Sequence, residues 1–157
     1  MNHEALINKH DPIEILLAED DADDSLFFSE ALAQIPVLTN LTVVNDGVEA
    51  INYINNPSST KPHIIFLDLN MPKMKGLDCL EQIRKNKLYN ETPCVIITTS
   101  ASPNDISKSY SNGANLYFAK PVSMIDLVRM IDKALRVNWK HFFPPFEDTF
   151  FVTERRI

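Results

Sequence analysis

Apolar residues fall in short blocks along this chain, and the blocks alternate with stretches where apolar positions recur every three or four residues. Blocks rich in Ile, Val, Leu and Phe that end at polar or turn-forming residues read as strands buried on both faces, and the stretches between them as amphipathic helices. Five strands are predicted: "IEILLA" (13–18), "LTVVN" (41–45), "IIFLD" (64–68), "CVIIT" (94–98) and "LYF" (116–118). A helix follows each. The first covers about 25–34, with the acids at 23 and 24 available as caps and Pro36 closing it, and the second covers 48–55, between the Asp46-Gly47 turn and Pro57. The third opens after Gly76 with Leu77, Leu80 and Ile83 three apart, and the fourth, about 105–112, stops at Gly113. Ser123 with Asp126 resembles a capping box and opens the fifth, to about 136. Five βα units predict an α/β fold with a doubly wound, five-stranded parallel sheet and five helices.

Such sheets bind ligands at the carboxyl ends of their strands, which gives those ends particular interest. The first strand ends at Glu19-Asp20-Asp21, the third at Asp68, the fourth at Thr98-Thr99-Ser100, and the fifth just before Lys120. In "HIIFLDLNMP" an acid closes a fully apolar run, where a carboxylate is costly to desolvate unless a cation or hydrogen-bond donor meets it. Asp20 and Asp68, on different strands, suit a hard octahedral cation such as Mg²⁺, with Glu19 assisting through water and the backbone carbonyl of Asn70 lying just beyond. Lys120 adds a point charge able to neutralise Asp68 or a phosphoryl oxygen, and Thr98 adds a hydroxyl donor. Carboxylate nucleophile, metal, lysine and hydroxyl are the parts that phosphoryl transfer requires. Taken singly each has a plainer reading: the acidic triplet as helix capping, and Lys120-Pro121 as a solvated turn.

Composition narrows the field. The chain has 157 residues, enough for one domain, and its net charge of −6 lacks the Lys and Arg excess of a nucleic-acid reader. No apolar run reaches membrane-spanning length and the first residues are polar, so a cytoplasmic protein without leader or anchor is expected. Cys79 and Cys94 show no metal or disulfide spacing, and the histidines at 3, 10, 63 and 141 suggest structural or solvated roles. Only three glycines occur, so no Gly-rich phosphate loop exists.

The segments "ILLAEDDADD" (15–24), "FLDLNMPKMKGLDCL" (66–80), "VIITTS" (95–100) and "GANLYFAKPVS" (113–123), in this order, resemble bacterial response-regulator receiver domains of two-component signalling. The resemblance covers about 12–136 and implies a flavodoxin-like receiver fold with strand order 2-1-3-4-5. It implies that Asp68 accepts a phosphoryl group from a phosphohistidine of a sensor kinase, and that Glu19, Asp20, Asp68 and the main-chain carbonyl of Asn70 hold Mg²⁺. Thr98 and Lys120 would bind phosphoryl oxygens, Tyr117 would swing inward as Thr98 moves, and Asn70 and Ser100 would tune hydrolysis of the acyl phosphate. Without the resemblance, Tyr117 reads as an ordinary core aromatic. Lys75 before Gly76 departs from the acid or amide of many members, and Glu19 replaces the commoner Asp.

Residues 1–11 are expected to be an N-terminal extension, and 137–157 a C-terminal tail with no effector domain. Six of those 21 tail residues are aromatic, so the tail should pack on the chain's own surface, across a homodimer or on a partner. It is loosely similar to the tails of single-domain receivers that partner cyanobacterial phytochromes, so a phytochrome-type kinase is one possible partner. A homodimer through the face from the fourth to the fifth helix is another expectation. Two other functions are open: a Mg²⁺-dependent haloacid-dehalogenase-type phosphohydrolase, and a receiver-like module that is never phosphorylated. The first needs a second Asp two residues past the nucleophile, where this chain has Asn70.

Overall fold

The computed structural model describes residues 11–137, 139 and 147–153. The expected N-terminal extension, apart from Asp11, therefore lies outside the described residues, as does much of the tail. Strand and helix alternate five times as β1 (Ile13–Ala18), α1 (Ala22–Ala33), β2 (Thr39–Val44), α2 (Gly47–Asn55), β3 (Ile64–Leu67), α3 (Gly76–Lys85), β4 (Cys94–Thr98), α4 (Pro103–Ser111), β5 (Leu116–Ala119) and α5 (Met124–Arg136). A short α6 (Glu147–Phe150) and β6 (Phe151–Val152) follow. The sheet runs β2-β1-β3-β4-β5-β6, and every neighbouring pair is parallel. The expected order 2-1-3-4-5 is present. The five expected helices are present as α1–α5, and among the described residues the sheet has a sixth strand beyond the five expected.

Alternation along the strands builds two cores, because successive side chains leave opposite faces of a sheet. Ile13, Ile15 and Leu17 of β1, with Ile64, Phe66, Val95, Ile97 and Phe118, face α1 and α5, and Phe28 meets Phe66 edge-on at 5.0 Å. Leu16, Ala18, Ile65, Leu67, Cys94, Ile96 and Tyr117 face the other way, against Ala50, Ile51 and Ile54 of α2 and Cys79, Leu80 and Ile83 of α3. Both faces of β3 and β4 are thus covered, as their uninterrupted apolar runs suggested. Both cysteines are buried and outside any disulfide, and burial pushes the Cys79 thiol up to about 12. His63 accepts the Glu14 N–H at Nδ1, a structural role. Among the described residues no helix is long and apolar enough to cross a membrane.

The helix starts show why some predicted boundaries were late. Asp21 caps α1 by accepting the Asp24 N–H at 3.0 Å, so the helix begins at Ala22 and the acids at 23 and 24 sit inside its first turn. Ser102 caps α4 in the same way, ahead of a proline in the first turn. Ser123 accepts the Asp126 N–H at 3.1 Å and caps α5 as predicted.

The extra strand closes the edge that β5 would otherwise leave open, where unpaired N–H and C=O groups invite pairing. Phe151 pairs with Tyr117 and Val152 with Phe118. Phe150 is buried against Tyr110 and Tyr117, with ring centroids 5.2 and 6.1 Å apart, and Trp139 is buried beside α5, its indole N–H donating to the Ala134 carbonyl. The described part of the tail therefore packs on its own chain. Phe150→Ala should cost about 3 kcal/mol of unfolding free energy, measured by urea denaturation. A loss below about 0.5 kcal/mol, the scale of a surface change, would contradict this packing.

Candidate functional site

The ladder of the sheet carries directly into the rim above it. Glu19 N–H donates to the Val44 carbonyl, Asp68 N–H to the Ala18 carbonyl and Lys120 N–H to the Thr98 carbonyl, at 3.0, 3.1 and 2.8 Å. Each of these three predicted site residues is thus fixed to a neighbouring strand just as its own strand ends, which holds three strand ends in one register.

The rim brings together most of the residues singled out in the sequence. Carboxylate oxygens of Glu19, Asp20 and Asp68 all lie within 4.8 Å of one another, with Glu19 and Asp68 buried and Asp20 exposed. That donor set, all hard oxygen with one carboxylate open to water, fits a divalent cation that keeps part of its hydration shell. Asp68 Oδ1 accepts the Asn70 N–H at 3.1 Å, which folds the loop after β3 back over the carboxylate, while the Asn70 side chain is exposed. Gly76 permits that fold: a Cβ there would lie 2.2 Å from the Asp68 carbonyl oxygen. Lys120 Nζ donates to Glu19, and to Asp68 Oδ2 at 2.9 Å.

Asp24 is the partner of Lys120 that sequence reasoning missed. Its Oδ2 accepts from Lys120 Nζ at 2.7 Å. The signal was there in the spacing, one helical turn beyond Asp20, but a helix thought to begin at 25 left Asp24 as a cap rather than as a rim residue.

Thr98 is fully buried, and its Oγ1 accepts the Ser100 N–H at 3.4 Å. The Ser100 hydroxyl donates to Asp105 Oδ2 at 2.6 Å, tying it to the first turn of α4. Tyr117 is fully buried, with its hydroxyl donating to the Ser100 carbonyl at 2.9 Å and its ring against Phe150 and Phe151. The two predicted switch residues are thus joined through Ser100.

Burial pushes the Glu19 carboxyl up to about 7, aided by the Asp68 charge and opposed by Lys120. Burial alone would lower the Lys120 ammonium, but its bonds to Asp24, Glu19 and Asp68 outweigh this and hold it above the usual lysine range. An ammonium surrounded by carboxylates therefore stays charged at any physiological pH.

Residues 15–132 match the profile of the response regulator receiver domain, and the chain belongs to that family. Receiver domains accept a phosphoryl group in two-component signalling, opposite sensor histidine kinases. The chain is 33% identical over 124 residues to the response regulator Rcp1 of Synechocystis, covering 76% of this chain and 84% of that protein. It is 30% identical over 131 residues to the probable methanogenesis regulatory protein FilR2 of Methanothrix harundinacea, covering 82% and 84%. Among solved structures it is similar to the phosphorylated cyanobacterial phytochrome response regulator RcpA, at a TM-score of 0.73 and 31% identity over 78% of this chain and 91% of that one. It is also similar to the Mn²⁺-bound form of Rcp1, at 0.71 and 32% over the same shares.

From the unfolded value of 4.5 to about 7, the folded chain holds a proton on Glu19 that the unfolded chain has released. This carboxyl's contribution to stability is therefore fully present below the unfolded value and is lost as pH rises through about 7. In metal-free protein, the unfolding free energy of wild type relative to Glu19→Gln should fall as pH is raised from about 5 to about 8, followed by urea titration. A difference that stays flat across that range would contradict the raised value.

Proposed function

We propose that this protein is a response regulator, acting in the cytoplasm, whose Asp68 accepts a phosphoryl group from a phosphohistidine on a sensor histidine kinase. The observation that carries this reading is the placement of Asp68 Oδ2 2.9 Å from Lys120 Nζ, beside the Glu19 and Asp20 carboxylates. In the reaction an Asp68 oxygen attacks phosphorus, and the P–N bond to the imidazole breaks with its electron pair leaving on nitrogen. Glu19, Asp20, Asp68 and the Asn70 main-chain oxygen would hold Mg²⁺, which would supply positive charge against the phosphoryl oxygens. Lys120 donates to one of those oxygens and Thr98 offers its hydroxyl to another.

Phosphorylating a carboxylate adds negative charge and strong acceptor oxygens at the end of β3. Movement of Thr98 toward them is felt at Ser100, whose N–H bonds Thr98 and whose carbonyl bonds Tyr117. That chain biases the surface around α4, β5 and α5, through which the protein makes its output contacts. Asn70 and Ser100 set how fast the acyl phosphate is lost, so catalysis is limited to the protein's own phosphorylation and slow dephosphorylation. A kinase of the phytochrome type is part of this reading, supported by the likeness to Rcp1 and RcpA. So is pairing of two copies, through the α4–α5 face or the C-terminal segment that lies on β5.

Acetyl phosphate with Mg²⁺ should add one phosphate per chain by intact mass, and neither metal-free wild type nor Asp68→Asn should gain it. Steady hydrolysis of a phosphomonoester without accumulation would point instead to a phosphohydrolase, and equal labelling of Asp68→Asn would overturn the assignment of Asp68.

A further inference from the structure

An ammonium has three N–H donors, and at Lys120 three carboxylates receive them: Glu19, Asp24 Oδ2 at 2.7 Å and Asp68 Oδ2 at 2.9 Å. Two of these partners belong to the acidic set that fits a cation. A divalent ion entering among Glu19, Asp20 and Asp68 repels the ammonium and competes for both acceptors, so Lys120 must be drawn from Glu19 without being lost from Asp68. Asp24 is placed to do this. Its side chain is 42% exposed, against 3% for Glu19 and 7% for Asp68, so it keeps contact with water and lies outside the acidic set that fits the cation.

Its position is set by packing rather than by the rim itself. The Asp24 N–H is bonded to the Asp21 cap at 3.0 Å, and one turn on, Phe28 is buried against Phe66. Residues four apart share a helix face, so the anchor that seats α1 on the sheet also aims Asp24 at Lys120. Asp23 carries the same charge one residue earlier and is exposed, but it is not among the three partners of Lys120.

We infer that Asp24 is a positioning residue for phosphoryl transfer: its carboxylate retains the Lys120 ammonium beside Asp68 when a divalent cation and the incoming phosphoryl group take over the acceptors on Glu19 and Asp68. This rests on the assignment of Asp68 and Lys120 proposed above. With acetyl phosphate as donor, an Asp68 oxygen bonds to phosphorus as the P–O bond to acetate breaks, and acetate leaves with the electron pair. No proton moves in that step, so Asp24 acts only through where it holds Lys120.

The test measures two quantities in the intact protein: the rate constant for phosphorylation by acetyl phosphate, and the Mg²⁺ affinity of the unphosphorylated form by calorimetry. Asp24→Asn should lower each by about three- to fivefold more than Asp23→Asn does, the scale of a partly exposed ion pair. Asp24→Glu should restore part of the loss. In a Lys120→Met background Asp24→Asn and Asp23→Asn should become equal, as a double-mutant cycle requires of a coupling that runs through the lysine. If Lys120→Met is slow while Asp24→Asn and Asp23→Asn match in the presence of Lys120, the inference fails and the site assignment stands. If Lys120→Met is phosphorylated at the wild-type rate, both fail together.

Discussion

The ammonium of Lys120, shared by carboxylates from the ends of β1 and β3 and from the first turn of α1, is the interaction on which the rest of the site depends. Glu19 and Asp68 are both buried and close to one another, and each accepts there from the same cation. Lysine supplies that cation in the metal-free protein. The parallel sheet makes the arrangement possible, because it delivers the C-terminal ends of β1, β3, β4 and β5 to one edge, and the backbone bonds from Asp68 and Lys120 to neighbouring strands fix their heights.

The architecture was largely legible in the residues, for a physical reason. Strands covered on both faces must be apolar throughout, so "IIFLD" and "CVIIT" announced themselves, and the polar residues that ended each run marked the rim. Bringing Glu19, Asp20, Asp68, Thr98 and Lys120 to one edge needed only the rule that parallel strands share a direction. The sixth strand was not legible, since Phe151 and Val152 form a pair too short for any period, and their pairing depends on the open edge of β5. Asp24 was missed because its role depends on where α1 begins. Asp21, and not a later acid, provides the cap, and a shift of three residues in the helix start turns a capping acid into a partner of Lys120. The orientation of Ser100 toward Asp105 likewise follows from the Ser102 cap that starts α4.

The C-terminal segment ties the periphery to the interior. Phe150 and Phe151 lie against the ring of Tyr117, whose hydroxyl reaches the same Ser100 that bonds Thr98. Interiors packed to this degree shift between discrete arrangements rather than deform smoothly. The rim and β6 thus both make contact with one buried aromatic side chain, through Ser100 on one side and Phe150 and Phe151 on the other.

The proposed function rests on Asp68 itself carrying the phosphoryl group. The most direct measurement is to phosphorylate the protein with Mg²⁺ present, reduce the acyl phosphate with borodeuteride, and sequence the peptides by mass spectrometry. Conversion of Asp68 to deuterated homoserine, with Asp20, Asp21 and Asp24 unchanged, is the predicted result. Homoserine at any of those other positions, or none at Asp68 in protein that has gained phosphate, would contradict it.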